Sequence, residues 1–119
     1  MDYNELLSAA QETYEEFSLV WRDEFDFNSE CESFEASLKP YLLREERTSS
    51  WPGTEIFGAL ATVRFYKVTN GAIEVLRSIK SYKSFLSPDL PEDLAFYKSG
   101  KVIYGSIAHE SDEWVIDNA

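Results

Sequence analysis

Apolar residues recur along the first 25 positions at helical spacing. Tyr3, Leu6, Leu7, Ala10, Tyr14, Phe17 and Trp21 fall at i, i+3, i+4, i+7, i+11, i+14 and i+18, one stripe at a period of about 3.6 residues. The pattern predicts a helix over 2–25, capped by Asp2 with Glu5 at the capping-box partner position. At about 100° per residue, Glu5, Glu12, Glu16 and Asp23 then lie on the face opposite the stripe. Ser29-Glu30-Cys31-Glu32 has the form of a second capping box. It predicts a helix to about Arg44 whose inner face is Phe34, Leu38, Tyr41 and Leu42, with Pro40 as a kink or a second start.

Residues 48–54 are a loop by their turn chemistry, with Thr54 placed to cap the next element. Residues 55–68 admit two readings. Ile56, Leu60 and Val63 favour a helix, while Val63, Phe65 and Lys67-Val68 suit a strand; the helix is the preferred expectation. Asn70-Gly71 is read as a break. Ala72, Val75, Leu76, Ile79 and Leu86 then give another helix, ended by Pro88 and Pro91. After that the period changes. Leu94–Tyr97 reads as a strand, Lys98-Ser99-Gly100-Lys101 as a hairpin turn, Val102–Ala108 as the return strand, and 111–116 as a turn into a third strand. The expected fold is therefore α+β. About four N-terminal helices precede a C-terminal three-stranded antiparallel β-meander, in a single domain spanning 1–119.

Charge changes the picture more than composition does. The formal net charge is -11 over 119 residues. Residues 1–35 hold eleven acids and one base, Arg22 (-10); residues 36–88 hold eight bases and four acids (+4); residues 89–119 hold two bases and seven acids (-5). Phosphate-backbone binding needs Lys and Arg, so this balance weighs against nucleic acid, and against an anionic membrane surface. The acids of the first third alternate with apolar residues and have almost no interspersed lysines, so helical i,i+4 pairing does not account for them. A folded acidic surface of this kind attracts a basic protein. The best candidates for that contact are Glu12, Glu15, Glu16, Asp23, Glu24 and Asp26, with Trp51 as an aromatic anchor in its loop or else as a cover over the core. The basic centre (Arg44, Arg47, Arg64, Lys67, Arg77, Lys80, Lys83) is expected to pair with the acidic ends.

Catalytic and metal chemistry find little support in the residues. His109-Glu110 is the one histidine beside a carboxylate, but HESDE at 109–113 is not a zincin pattern and no nucleophile motif accompanies it. Cys31 lies between Glu30 and Glu32, which oppose thiolate formation. A single cysteine forms no internal disulfide, which suits a reducing compartment. MDYNELLSAA is not a signal sequence, and no apolar run approaches the ~18 residues of a spanning helix. The expectation is a cytoplasmic, non-enzymatic protein without metal or cofactor.

S-S-W-P-G-T-E at 49–55, L-P-E-D-L-A-F-Y at 90–97 and G-S-I-A-H-E at 105–110 together resemble small immunity proteins encoded beside bacterial polymorphic toxins, including those of contact-dependent growth inhibition. The resemblance covers roughly residues 49–110 and leaves the acidic first third outside it. It implies a protein that binds and neutralises the toxin domain of its own system, commonly a nuclease. Two other functions stand beside it: an acidic nucleic-acid mimic that regulates another basic protein, and a small enzyme using His109 and Glu110.

Overall fold

In a computed structural model that describes residues 2–116, the chain runs α1 (Tyr3–Thr13), β1 (Glu16–Arg22), α2 (Ser29–Leu38), β2 (Leu42–Thr48), β3 (Ser50–Trp51), β4 (Thr54–Glu55), β5 (Ala61–Lys67), α3 (Asn70–Arg77), β6 (Glu92–Lys98), β7 (Lys101–Ile107) and β8 (Asp112–Val115). Short 3-10 turns occupy Lys39–Tyr41, Tyr82–Ser84 and Ala108–Glu110. Six strands form one antiparallel sheet in the order β2-β5-β1-β6-β7-β8, and β3-β4 form a separate two-stranded hairpin.

This corrects the expected architecture of about four N-terminal helices ahead of a three-stranded meander. Helices and strands alternate from the start, and the meander β6-β7-β8 is one half of a sheet whose other half comes from the first 67 residues. The predicted helix over 2–25 ends at Thr13. Tyr14 caps it in an extended conformation, its N–H still bonded to the Ala10 carbonyl. Phe17, Ser18, Leu19, Val20 and Trp21 then form five consecutive buried positions of β1. A strand covered on both faces loses its alternation and reads as an apolar run, which periodicity alone cannot separate from a buried helix. The capping box at Asp2–Glu5 is present as expected.

The second helix starts one residue earlier than its box implied. Asn28 is the cap, its side-chain oxygen accepting the Cys31 N–H at 3.2 Å. It ends at Leu38, where Pro40 turns the chain through Lys39–Tyr41 into β2 instead of continuing to Arg44. Residues 61–67 are strand β5, so the strand reading of that segment holds and the helix does not. Asn70-Gly71 opens α3 rather than breaking it, because Thr69 supplies the cap through its hydroxyl. Leu86 lies beyond that helix and is exposed.

The helices cover one face of the sheet. Leu6, Leu7 and Ala10 of α1, Cys31, Phe34 and Leu38 of α2, and Ala72, Ile73 and Leu76 of α3 pack with Phe17, Leu19, Trp21, Tyr66, Leu94, Phe96 and Tyr104. On the opposite face Val20, Trp51, Ala61, Val63, Phe65, Ala95 and Tyr97 make a smaller cluster beneath the β3-β4 hairpin. There Ser18 and Tyr97 share a hydrogen bond of 2.8 Å. Trp114 of β8 lies across Gly53 and Gly105, where a Cβ on either glycine would meet its ring. The edge strand β2 exposes Arg44, Glu45, Glu46 and Arg47 in succession, charges that oppose edge-to-edge pairing.

Gly105→Ala is expected to lower unfolding free energy by about 1–3 kcal/mol through overpacking, measured by urea titration. In a Trp114→Leu background the same change should be much smaller; equal losses in both backgrounds would show that the Trp114 contact does not set the requirement for glycine.

Candidate functional site

The acidic side chains chosen from the sequence do not share a face. With β1 a strand, they divide between its two ends, roughly 20 Å apart at about 3.3 Å per residue. Glu12, Glu15 and Glu16 lie at the start of the strand; Asp23, Glu24 and Asp26 lie just past its end. At the first end Glu16 is half-buried and pairs with Arg44 at 3.1 Å, and Glu15 accepts the Ser99 N–H at 2.6 Å, tying the β6-β7 turn to the α1–β1 junction. Glu12 is exposed on α1.

The second end is more elaborate. The Arg47 guanidinium forks onto the Asp23 carboxylate, with Nη1–Oδ1 at 2.7 Å, and this hydrogen bond holds the Asp23 carboxyl below its ordinary range. Arg22 reaches Glu24 at 2.5 Å and Glu92 at 3.7 Å, and its guanidinium stands 6.0 Å from the Phe25 ring. The Asp23 N–H donates to the Leu60 carbonyl at 3.1 Å, which joins this turn to the loop between β4 and β5. Asp26 is exposed beside it.

Beneath this end lies a polar network that the sequence did not point to. Where β6 pairs with β1, the register shifts so that Ser18 faces Ala95 but Val20 faces Glu92. One extra residue in β6 makes a bulge, with Asp93 in the left-handed region at φ 58°. Both carboxylates are buried, at 4 % and 2 % exposure. Asp93 Oδ2 accepts the Trp51 Nε1–H at 2.8 Å and Oδ1 accepts the Ala108 N–H at 3.1 Å. Glu92 Oε2 accepts the Ser87 N–H at 3.3 Å. Burial pushes the Asp93 carboxyl above its ordinary range, against the pull of the Trp51 and Ala108 donors. The folded state therefore holds this proton more tightly than the unfolded chain, and the residue's contribution favours folding more in acid than at neutrality.

Glu92, Asp93 and His109 each place a ligand atom within 4.8 Å of the others. Both Asp93 oxygens and Glu92 Oε2 are already engaged, and Arg22 already brings a positive charge to Glu92. The donor set thus works as an internal clamp on the hairpin, the bulge and the turn after β7. His109 itself is exposed, with Nε2 3.5 Å from Glu110 Oε2.

Trp51 is 6 % exposed and its indole N–H is spent on Asp93. It covers the second face of the sheet, so of its two sequence readings the core one holds. Cys31 is buried in α2, and burial pushes its thiol up to about 11. All five arginines lie within 4 Å of a carboxylate: Arg22 with Glu24 and Glu92, Arg44 with Glu16, Arg47 with Asp23, Arg64 with Glu35 and Glu45, and Arg77 with Glu74. The basic centre pairs with the acidic first third only in part: Arg44, Arg47 and Arg64 do so, Arg77 pairs with Glu74 inside the centre, and Lys67, Lys80 and Lys83 have no ion pair among the described residues. Among the described residues no helix is long and apolar enough to cross a membrane.

Compared with family models, curated proteins and solved structures, the chain matches none.

Asp93→Ala should lose about 1–3 kcal/mol for each buried donor left without an acceptor. Asp93→Gly should lose the same donors' partner but recover roughly 1 kcal/mol of left-handed backbone energy. Urea unfolding ranks the two, and an alanine variant as stable as the glycine one would mean that the bulge relaxes without Asp93. In the folded protein Cys31 should stay unlabelled by a thiol reagent at pH 8 for as long as the chain remains native. Full labelling within minutes in buffer would contradict its burial.

Proposed function

We propose that this is an immunity protein, which binds and neutralises a cognate bacterial toxin domain of basic surface by occluding its active site or substrate cleft. The carrying observation is how charge is distributed in the fold. The arginines are consumed by ion pairs inside the chain, while Glu12, Asp26, Glu30 and Glu32 stand exposed with no ion-pair partner among the described residues. Six lysines are also exposed without an ion-pair partner among the described residues, but the formal net charge of -11 leaves the surface negative overall, with no arginine free to grip phosphate. A nuclease must carry a basic cleft to hold its substrate, so a nuclease toxin is the class that fits best. Opposite fields on the two proteins would steer the encounter, towards about 10⁸–10⁹ M⁻¹s⁻¹ at low salt.

The mode of action is occlusion without turnover. The buried carboxylates are committed to Trp51, Ala108, Ser87 and Arg22, and the exposed His109 lies 3.5 Å from Glu110. The motifs at 49–55, 90–97 and 105–110 support the same reading through their resemblance to immunity proteins.

Co-expression with the product of the adjacent open reading frame is the direct test. Relief of toxicity and a one-to-one complex are expected. The association rate should fall steeply between 50 and 500 mM salt, and the combined change Glu12→Gln, Asp26→Asn and Glu30→Gln should slow it about tenfold and flatten the salt slope. A salt-independent association rate would remove electrostatic steering. Absence of any complex with the neighbouring product, alongside capture of an unrelated basic enzyme, would replace the reading with that of a nucleic-acid mimic.

A further inference from the structure

We infer that the toxin-binding surface is the end of the sheet where β1 leaves the core, and that Phe57 is its anchor, inserted into an apolar pocket ringed by basic side chains on the partner. This rests on the proposed binding function and names the part of the molecule that performs it.

Seven large apolar side chains are exposed among the described residues, and three of them belong to this end. Phe57 is 87 % exposed, Leu60 46 % and Phe25 37 %. Phe57 and Leu60 sit in the loop between β4 and β5, Phe25 in the turn after β1. The Asp23 N–H to Leu60 carbonyl bond joins the two segments. Acids flank all three: Asp23, Glu24 and Asp26 on the turn, and Glu55 two residues before Phe57. An aromatic left almost wholly in water gains nothing for the fold. Placed at the centre of a charged rim, it has the composition of a binding hot spot, apolar anchor inside and polar groups outside. Arg22 and Arg47 also stand at this end, paired with Glu24 and Asp23, and the exposed Asp26 and Glu55 leave the rim net negative. That sign selects the partner, a basic surface and not a second copy of this acidic chain.

The same end is also the better-supported one. The Arg47 fork on Asp23 and the Arg22 bridge between Glu24 and Glu92 fix the turn to the sheet. The Glu92–Asp93 bulge and Trp51 hold the hairpin that leads into the Phe57 loop. A partner would meet a surface whose backbone is already ordered, which lowers the entropy lost on binding. At the other end the exposed large apolar side chain is Leu43, 47 % exposed beside the Arg44 that pairs with Glu16; it is aliphatic, and far less exposed than Phe57.

The experiment uses the full chain and the toxin domain from the adjacent open reading frame, with kinetics followed by surface-immobilised binding. Phe57→Ser should raise the dissociation rate about 30-fold or more and leave the association rate within twofold. Glu12→Gln with Glu15→Gln should do neither beyond a small loss of association rate. Unchanged dissociation for Phe57→Ser, with binding lost in the Glu12/Glu15 variant, would overturn this surface while leaving the immunity reading intact. No complex with the unaltered chain would bring down the immunity reading and this surface with it. Sedimentation of the free protein supplies the control on occupancy. A monomer is expected, and a dimer abolished by Phe57→Ser would assign the patch to self-association instead.

Discussion

Strand β1 is bonded along both edges, to β5 and to β6, and covered on both faces, by the three helices and by the cluster around Trp51. No residue from Phe17 to Trp21 can therefore carry a charge, and none does. Every other element is located by its relation to this strand. The helices need its Phe17, Leu19 and Trp21 side; the hairpin needs its Val20 side. The chain's most acidic segment, residues 1–35, is threaded through this doubly covered strand, so the acids that flank it, Glu15 and Glu16 before and Asp23, Glu24 and Asp26 after, emerge at its two ends. That constraint produces the separation of the acids into two groups, and it makes Arg22, at the mouth of the buried strand, the pivot between Glu24 in solvent and Glu92 inside.

The bulge at Asp93 has its origin in the same geometry. In a regular strand Glu92 and Asp93 would point to opposite faces, and one of them would enter the helix-covered core beside Leu94 and Phe96. The extra residue lets both carboxylates find donors on the hairpin side: Trp51, Ala108, Ser87 and Arg22. A left-handed non-glycine backbone is unfavourable by itself, but two buried N–H groups would be orphaned without it. The clamp so formed carries the β3-β4 hairpin, and with it the loop that presents Phe57.

Much of the second half was legible. The β6-β7 turn at Ser99-Gly100 and the order of β6, β7 and β8 are dictated by turn chemistry and a period of two, because β7 and β8 are only partly covered. The first half was not. Tyr14, Phe17 and Trp21 continue the α1 stripe in register by coincidence, and no Gly or Pro stands between Thr13 and Glu16 to announce the change. Only the density of aromatic and β-branched residues at 17–21 favoured a strand. Likewise Ile56, Leu60 and Val63 mimic a helix face although the first two belong to a loop. The acidic character of the site was readable from composition, but its geometry was not, since face assignments made on a helix fail once the segment is extended. Trp51 and Phe57 show the limit most plainly. Both are aromatics in a turn-rich stretch, and only the position of Asp93 in space, 42 residues beyond Trp51, decides which of them is buried.

Charge and apolar contact divide the work of such an interface between rate and lifetime. A rim of carboxylates acts over a Debye length, about 8–10 Å in ordinary salt, and so governs how often a basic partner arrives in a usable orientation. It does little to keep the partner, because exposed ion pairs contribute only about 0–1 kcal/mol each. A large aromatic that leaves water on binding acts only at contact and lengthens the complex's life. An inhibitor of a toxin must be both fast and long-lived, and neither property substitutes for the other. An acidic surface without an anchor would capture quickly and release quickly. The end of β1 is where this fold brings the two kinds of side chain together, because the strand's burial drives its flanking acids outward beside a loop that leaves Phe57 and Leu60 in solvent.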